Sequence, residues 1–307
     1  MRVLIIADLE GIIGVTHLQD KKHCENCFRK ELRVYVDCLK EMYDGVTITI
    51  CDCHNSGETI VAVRESFFDC NVVSCLWNID FHVTYNFAIL VGFHAMSLRP
   101  CAFSHSFRPE IRRVRLGDRD VGEASLISNY LFSKSIPVLF VSGDDECIRE
   151  MNSIPCGKFS TSKGLKEVMY ERLAKSLRAS IQKSSLFCGY HDDKVRLDFF
   201  NPDLIPILVM KGYNNDEKGS IYFENTSLFF SGIRDFCHEL NKCSALLYRR
   251  NFELLKEFAG RYGKANVFAA CQTHDKSLLR EDIAMISHDT LKTALTSLVV
   301  HENGVKV

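Results

Sequence analysis

The chain has 307 residues, 46% of them hydrophobic, and a formal net charge of −1, which is enough apolar material for one large or two modest cores. So balanced a charge excludes a general attraction to nucleic acid or anionic lipid, and any charge-dependent function must come from a local cluster. No apolar run approaches the roughly 20 residues that span a membrane, and Asp8 interrupts the first apolar stretch too early for a signal peptide, so a cytoplasmic protein is the expectation.

The chain opens MRVLIIADLEGIIG. Four aliphatic residues, Val3 to Ile6, read as a buried strand, and Asp8 and Glu10 follow at once. In extended chain, residues two apart point to the same face. The two carboxylates would therefore repel each other unless something positive lay between them.

Next comes KKHCENCFRKELRVYVDCLKEMYDG, a helical stretch ending near Asp44, with Gly45 as its stop. Its Cys24 and Cys27 form a CxxC, but no second CxxC completes a four-thiolate site. The fourteen cysteines of this chain are expected to be mostly reduced thiols, many of them small core residues. Further strands are expected at 46–51, 71–75, 87–91 and 137–141, and further helices at 122–132 and 165–181. Strands alternating with helices predict an α/β fold: a mostly parallel sheet with helices on both faces, followed by a smaller α+β portion and a C-terminal extension. Such sheets place their sites just beyond the carboxyl ends of the strands.

Polar residues gather at those ends. Asp8 and Glu10 follow the first strand, Asp52 and His54 (CDCHNSG) the second, His94 (VGFHA) the fourth, and Asp144 and Asp145 (VSGDD) the fifth. Ser104-His105-Ser106 reads as a loop, and Glu123 in DVGEAS as a helix start. Taken singly, each has an ordinary role, a turn or helix cap for an acid and a hydrogen-bonded structural residue for a histidine. Their joint placement argues for more. Carboxylate with imidazole is the ligand mixture of zinc or a similar divalent ion, and a carboxylate can bridge two ions. The other eight histidines follow no such pattern and read as surface or structural.

The ordered blocks DLEG (8–11), DCH (52–54), GFHA (92–95), SHS (104–106), VGE (121–123) and GDD (143–145) resemble the zinc-dependent D-aminopeptidase family of the DppA type. The resemblance is strongest over 1–150 and thins beyond. It implies two zinc ions, other divalent metals being an alternative, held by Asp8, Glu10, His54, His94 and Glu123, with Asp8 as bridge. It makes His105 the catalytic residue, described for the family as a nucleophile; the residues alone leave nucleophile and general base open. Asp52, Asp144 and Asp145 become candidates for orienting a ligand histidine through its far nitrogen, with helix capping equally open for the last two. The resemblance further implies a small peptide or amide substrate with a free amino terminus, including D-residues, and a ring-shaped homo-oligomer. Two alternatives remain, a metal-dependent amide hydrolase or acyl-transfer enzyme of a specialised pathway, and a non-catalytic metal-binding scaffold.

The Arg-rich stretch 108–119 resembles a family hairpin turning at Gly117-Asp118, and reads either as a solvated strand face or as a source of one substrate-binding arginine. The expected organisation is a catalytic core over 1–150, a family-like α+β portion over 151–248 that is strand-rich near 205–230, and an extension over 249–307. Within the extension, NFELLKEFAGRYG and DTLKTALTSLVV read as helical and NVFAACQ as an apolar segment.

Overall fold

The expected alternation of strands and helices is present. The structure, a computed structural model, describes residues 1–162, 166–183 and 193–262. In chain order the elements are β1 (Arg2–Ala7), α1 (Lys21–Met42), β2 (Thr47–Asp52), α2 (Ile60–Ser66), β3 (Asn71–Ser74), β4 (Phe87–Phe93), β5 (Ile111–Leu116), β6 (Arg119–Asp120), α3 (Glu123–Ser133), β7 (Val138–Gly143), α4 (Asp145–Glu150), β8 (Gly157–Ser160), α5 (Lys166–Lys183), β9 (Val195–Phe199), α6 (Leu204–Met210), β10 (Asn214–Asn215), β11 (Ile221–Phe223) and α7 (Thr226–Tyr262). The described chain divides into two compact units, 1–196 with 223–232, and 197–222 with 233–262.

The first unit is built on a six-stranded sheet in the order β3-β2-β1-β4-β7-β8, with every neighbour parallel. Val3, Ile5 and Ala7 of β1 share one apolar cluster with Phe28, Leu32 and Tyr35 of α1 and with Leu173 and Leu177 of α5. Leu4 and Ile6, pointing the other way, are equally buried, and α3 packs on β4 and β7. Burial on both faces is why these strands are continuous apolar runs without polar alternation. The chain runs outward from β1 through β2 to β3, then returns to the opposite side of β1 as β4. That reversal leaves a crevice at the carboxyl ends of β1 and β4. The two loops there approach very closely: Gly11 N donates to Gly92 O at 2.8 Å, a Cβ on Gly11 would lie 2.0 Å from Phe93 O, and Gly92 has φ +68°. Only glycine fits both places.

A second sheet has the order β10-β11-β9-β5-β6. Its β5–β6 hairpin turns at Gly117-Asp118 as expected, with Leu116 opposite Arg119 and Arg112 and Arg113 exposed. In the second unit, Phe236 of α7 meets the rings of Tyr213 and Phe199 at 5.1 and 6.4 Å between centroids.

Two expectations are corrected. The stretch 205–230 holds two short strands, but it also holds α6 and the start of α7. A short apolar run such as LIPILVM does not reveal its type by periodicity, whereas Phe229, Ile233, Phe236, Leu240, Cys243 and Leu247, all buried, recur at helical spacing. The sheet also gains β8, whose sequence GKFS is too short and polar to announce a strand. NFELLKEFAGRY is helical, as part of α7; NVFAACQ and DTLKTALTSLVV lie outside the described residues. The cysteines of the described residues form no disulfide, and Cys24 and Cys27 are buried on α1. No helix of the described residues is long and apolar enough to cross a membrane.

One acid lies inside the core. Glu31 of α1 is 0% exposed; its Oε2 accepts from Ile13 N at 2.7 Å and its Oε1 from Ser142 Oγ at 3.1 Å. Burial pushes it up to about 7, against the pull of these hydrogen bonds. The folded state therefore holds this proton more tightly than the unfolded chain. Its contribution to stability is complete below about pH 4.5 and is lost as pH rises through 7. Glu31→Gln is expected to remove up to about 3 kcal/mol of that pH dependence, as read from urea midpoints of wild type and variant between pH 4.5 and 8; parallel profiles would refute it.

Candidate metal centre

Three carboxylates and three imidazoles meet at the crevice. Asp8 and Glu10 sit just past β1, His54 just past β2 and His94 just past β4. Each of these four is at most 8% exposed. Glu123 arrives from another direction, as the first residue of α3, where the unpaired N–H groups of the helix start favour an anion. His105 comes from the loop before β5, and its backbone N donates to Ala95 O at 3.2 Å.

Asp8 reaches both sides of the site with one oxygen each: Oδ1 is 3.4 Å from His54 Nδ1 and Oδ2 is 3.5 Å from His94 Nε2. His54 Nδ1 lies 2.8 Å from Glu10 Oε2, and His94 Nε2 lies 3.5 Å from Glu123 Oε1. The His94 and His105 rings stack with centroids 4.1 Å apart and an 11° tilt. Both turn Nδ1 to a backbone carbonyl, Ala95 O at 2.8 Å and Phe103 O at 3.0 Å. A carbonyl only accepts, so each Nδ1 carries the proton and each Nε2 faces inward. Ligand atoms of Asp8, Glu10 and His54 lie within 4.8 Å of one another, as do those of Glu10, His94 and His105.

The electrostatics express crowding. Burial, then the charge of Glu10, push Asp8 up to about 7. Burial would also raise Glu10 and Glu123, but the hydrogen bond and charge of His54 hold the first below the usual carboxylate range, and those of His94 hold the second there. Burial would lower His54 and His94; their carboxylate partners outweigh it and lift both to about 10. So many carboxylates around inward-facing nitrogens are the donor set of zinc.

The other nominated acids lie further out. Asp52 turns Oδ2 to the N and Oγ1 of Thr59, at 2.9 and 2.7 Å. Asp144 caps α4 and accepts from Ala95 N at 2.8 Å, so it steadies the residue whose carbonyl holds His94. Asp145 bonds Ser160 Oγ. Sequence reasoning missed Glu58, whose Oε2 is 3.7 Å from His54 Nε2; the available signal was a carboxylate four residues after a candidate ligand. The site opens into a cleft of about 690 Å³ lined by Leu9, Leu18, Glu25, Phe103, His105 and Arg108 among others.

A family model described as D-aminopeptidase matches residues 1–183. The D-aminopeptidase of Bacillus subtilis (strain 168) is 34% identical over 173 residues, which cover 50% of this chain and 60% of that protein. The chain thus spans about three fifths of the length of the curated relative it matches. The solved structure of the Zn-dependent D-aminopeptidase DppA from Bacillus subtilis, described as a self-compartmentalizing protease, matches with a TM-score of 0.68 at 18% identity, over 78% of this chain and 98% of that one. The likeness is one of fold.

An ion must displace the protons that His54 and His94 hold at neutral pH. Zinc binding to chelator-treated protein at pH 7 is therefore expected to release protons, seen as different apparent enthalpies in calorimetry with buffers of different ionisation enthalpy. Affinity should fall as pH is lowered. Binding with no net proton release would contradict the charge states described.

Proposed function

This chain belongs to the D-aminopeptidase family, and we propose that it is a zinc-dependent peptidase cleaving small peptides with a free amino terminus, D-residues among them. The observation that carries the reading is the convergence of Asp8, Glu10, His54, His94, His105 and Glu123 beside a cleft that Glu10, His54 and His105 line. In this reading Asp8, Glu10, His54, His94 and Glu123 hold two zinc ions. Asp8 would be shared between them, since its two oxygens face different histidines. When bound, zinc supplies Lewis acidity toward an amide carbonyl and toward water.

The chain's own residues supply orientation and proton handling. Phe103 O holds the Nδ1–H of His105 and leaves Nε2 to react; that ring is 31% exposed against 2% for His94, so a substrate can reach it. Glu123 Oε1 accepts from Phe107 N at 2.6 Å, which ties the His105 loop to the metal side. Glu25 adds negative charge to the cleft wall and suits a substrate ammonium.

Purified protein should bind two zinc ions and hydrolyse members of a panel of D- and L-dipeptides. No bound metal under zinc-replete conditions would remove this reading; metal with turnover only of other amides would favour a specialised amide hydrolase. His105→Ala is expected to keep both ions and the fold while losing a hundredfold or more in kcat. Loss of zinc from that variant would make His105 a ligand instead. Self-association, the property described for the DppA relative, is expected here too; light scattering that shows only monomer at micromolar concentration would refute it.

A further inference from the structure

Among the histidines of the centre, His54 is oriented differently. His94 and His105 rest their outer nitrogens on backbone carbonyls, whereas the outer nitrogen of His54, Nε2, faces the carboxylate of Glu58 at 3.7 Å. Glu58 is in turn held from three sides. Lys21 Nζ pairs with its Oε1, Asn55 Nδ2 donates to its Oε2 at 3.0 Å, and its own backbone N donates to His54 O at 3.1 Å.

The turn that brings Glu58 back over His54 is strained. Asn55 and Ser56 have φ of 42° and 64°, a left-handed conformation that non-glycine residues adopt uncommonly and that persists where the surroundings over-determine it, often at functional sites. Asp52 turns Oδ2 to Thr59, and the carboxylate within 4 Å of His54's outer nitrogen is that of Glu58. A surface ion pair offers no sufficient reason for this turn: the Lys21 side chain is 75% exposed, and exposed pairs stabilise little.

We propose that Glu58 is a positioning residue of the metal centre: its carboxylate faces Nε2 of His54 at 3.7 Å, beyond hydrogen-bond length here, and in the zinc-loaded centre it would close to accept the Nε2–H, fixing the tautomer that turns the Nδ1 lone pair toward Asp8 and Glu10, while Lys21 and Asn55 hold the carboxylate in place. A carboxylate behind a ligand imidazole also raises its basicity and so strengthens the bond to metal. The inference rests on the zinc reading of the site. It assigns to Lys21, on the first turn of α1, an indirect part in metal retention.

The test is zinc affinity, by chelator competition, with thermal melting of the metal-free protein measured alongside. Glu58→Ala is expected to weaken the His54-side ion 10- to 100-fold, with the other ion and the metal-free melting temperature unchanged. Glu58→Gln keeps a neutral acceptor and should recover part of the loss. Wild-type affinity for both ions in Glu58→Ala would overturn the proposal, as would equal losses in the Ala and Gln variants, since the effect would then be charge alone. A metal-free Glu58→Ala that melts well below wild type would overturn it in favour of a structural role. Wild-type protein that binds no zinc would instead overturn the reading on which the proposal rests.

Discussion

Three carboxylates, Asp8, Glu10 and Glu123, are held out of water within reach of one another. Buried like charges cannot all remain ionised without positive charge among them. Much of the local structure answers that constraint. His54 and His94 supply charge from one strand end each, the start of α3 presents its helix dipole to Glu123, and the residual repulsion falls on Asp8. Bringing acids and histidines to one point requires the β1 and β4 loops to touch, which is why glycine occupies positions 11 and 92.

A polar network braces the centre from behind. Ser142 Oγ accepts from Gly92 N at 3.1 Å and from Tyr35 OH at 2.7 Å, while Glu31 ties Ser142 to Ile13 N. Residues from α1, β4, β7 and the loop after Glu10 are thus linked without any of them entering the cleft. Such a network is specified strongly because each unpaired member would be costly at this depth. The acids and histidines on separate strand ends keep their spacing because the strands' own loops are pinned to a common buried support.

How the histidines are supported divides the site. The rings of His94 and His105 stack, each with its Nδ1–H on a backbone carbonyl, so main chain sets their tautomers whatever the neighbouring side chains. His54 instead turns its outer nitrogen toward the side chain of Glu58, 33% exposed. One side of the centre is therefore set by main-chain carbonyls, whereas the other faces a partly exposed carboxylate that follows a left-handed turn at Asn55 and Ser56.

Much of the core was legible because a buried parallel sheet writes itself as aliphatic runs, and because its strand ends are where loops can carry polar groups. The runs at β1, β4 and β7, the amphipathic α1 and the residues after each strand were readable by period and position. Glu31 was readable in part, since it shares the apolar stripe of Phe28, Leu32 and Tyr35. The strand β8 and the helix α6 were not, because neither four mixed residues nor seven apolar ones carry a decisive period.

By itself, the sequence determined which chemical groups stand at the strand ends and the alternation that brings those ends to one edge. Only the tertiary structure decided which nitrogen of each ring faces inward, that Asp8 divides its oxygens between two histidines, that Asp144 acts at one remove through Ala95, and that Glu58 rather than Asp52 faces the back of His54. These are outcomes of three-dimensional direction. Spacing along a chain sets which residues can be neighbours, but the rotation of a ring or a carboxylate is set by the partners that packing brings from elsewhere in the fold.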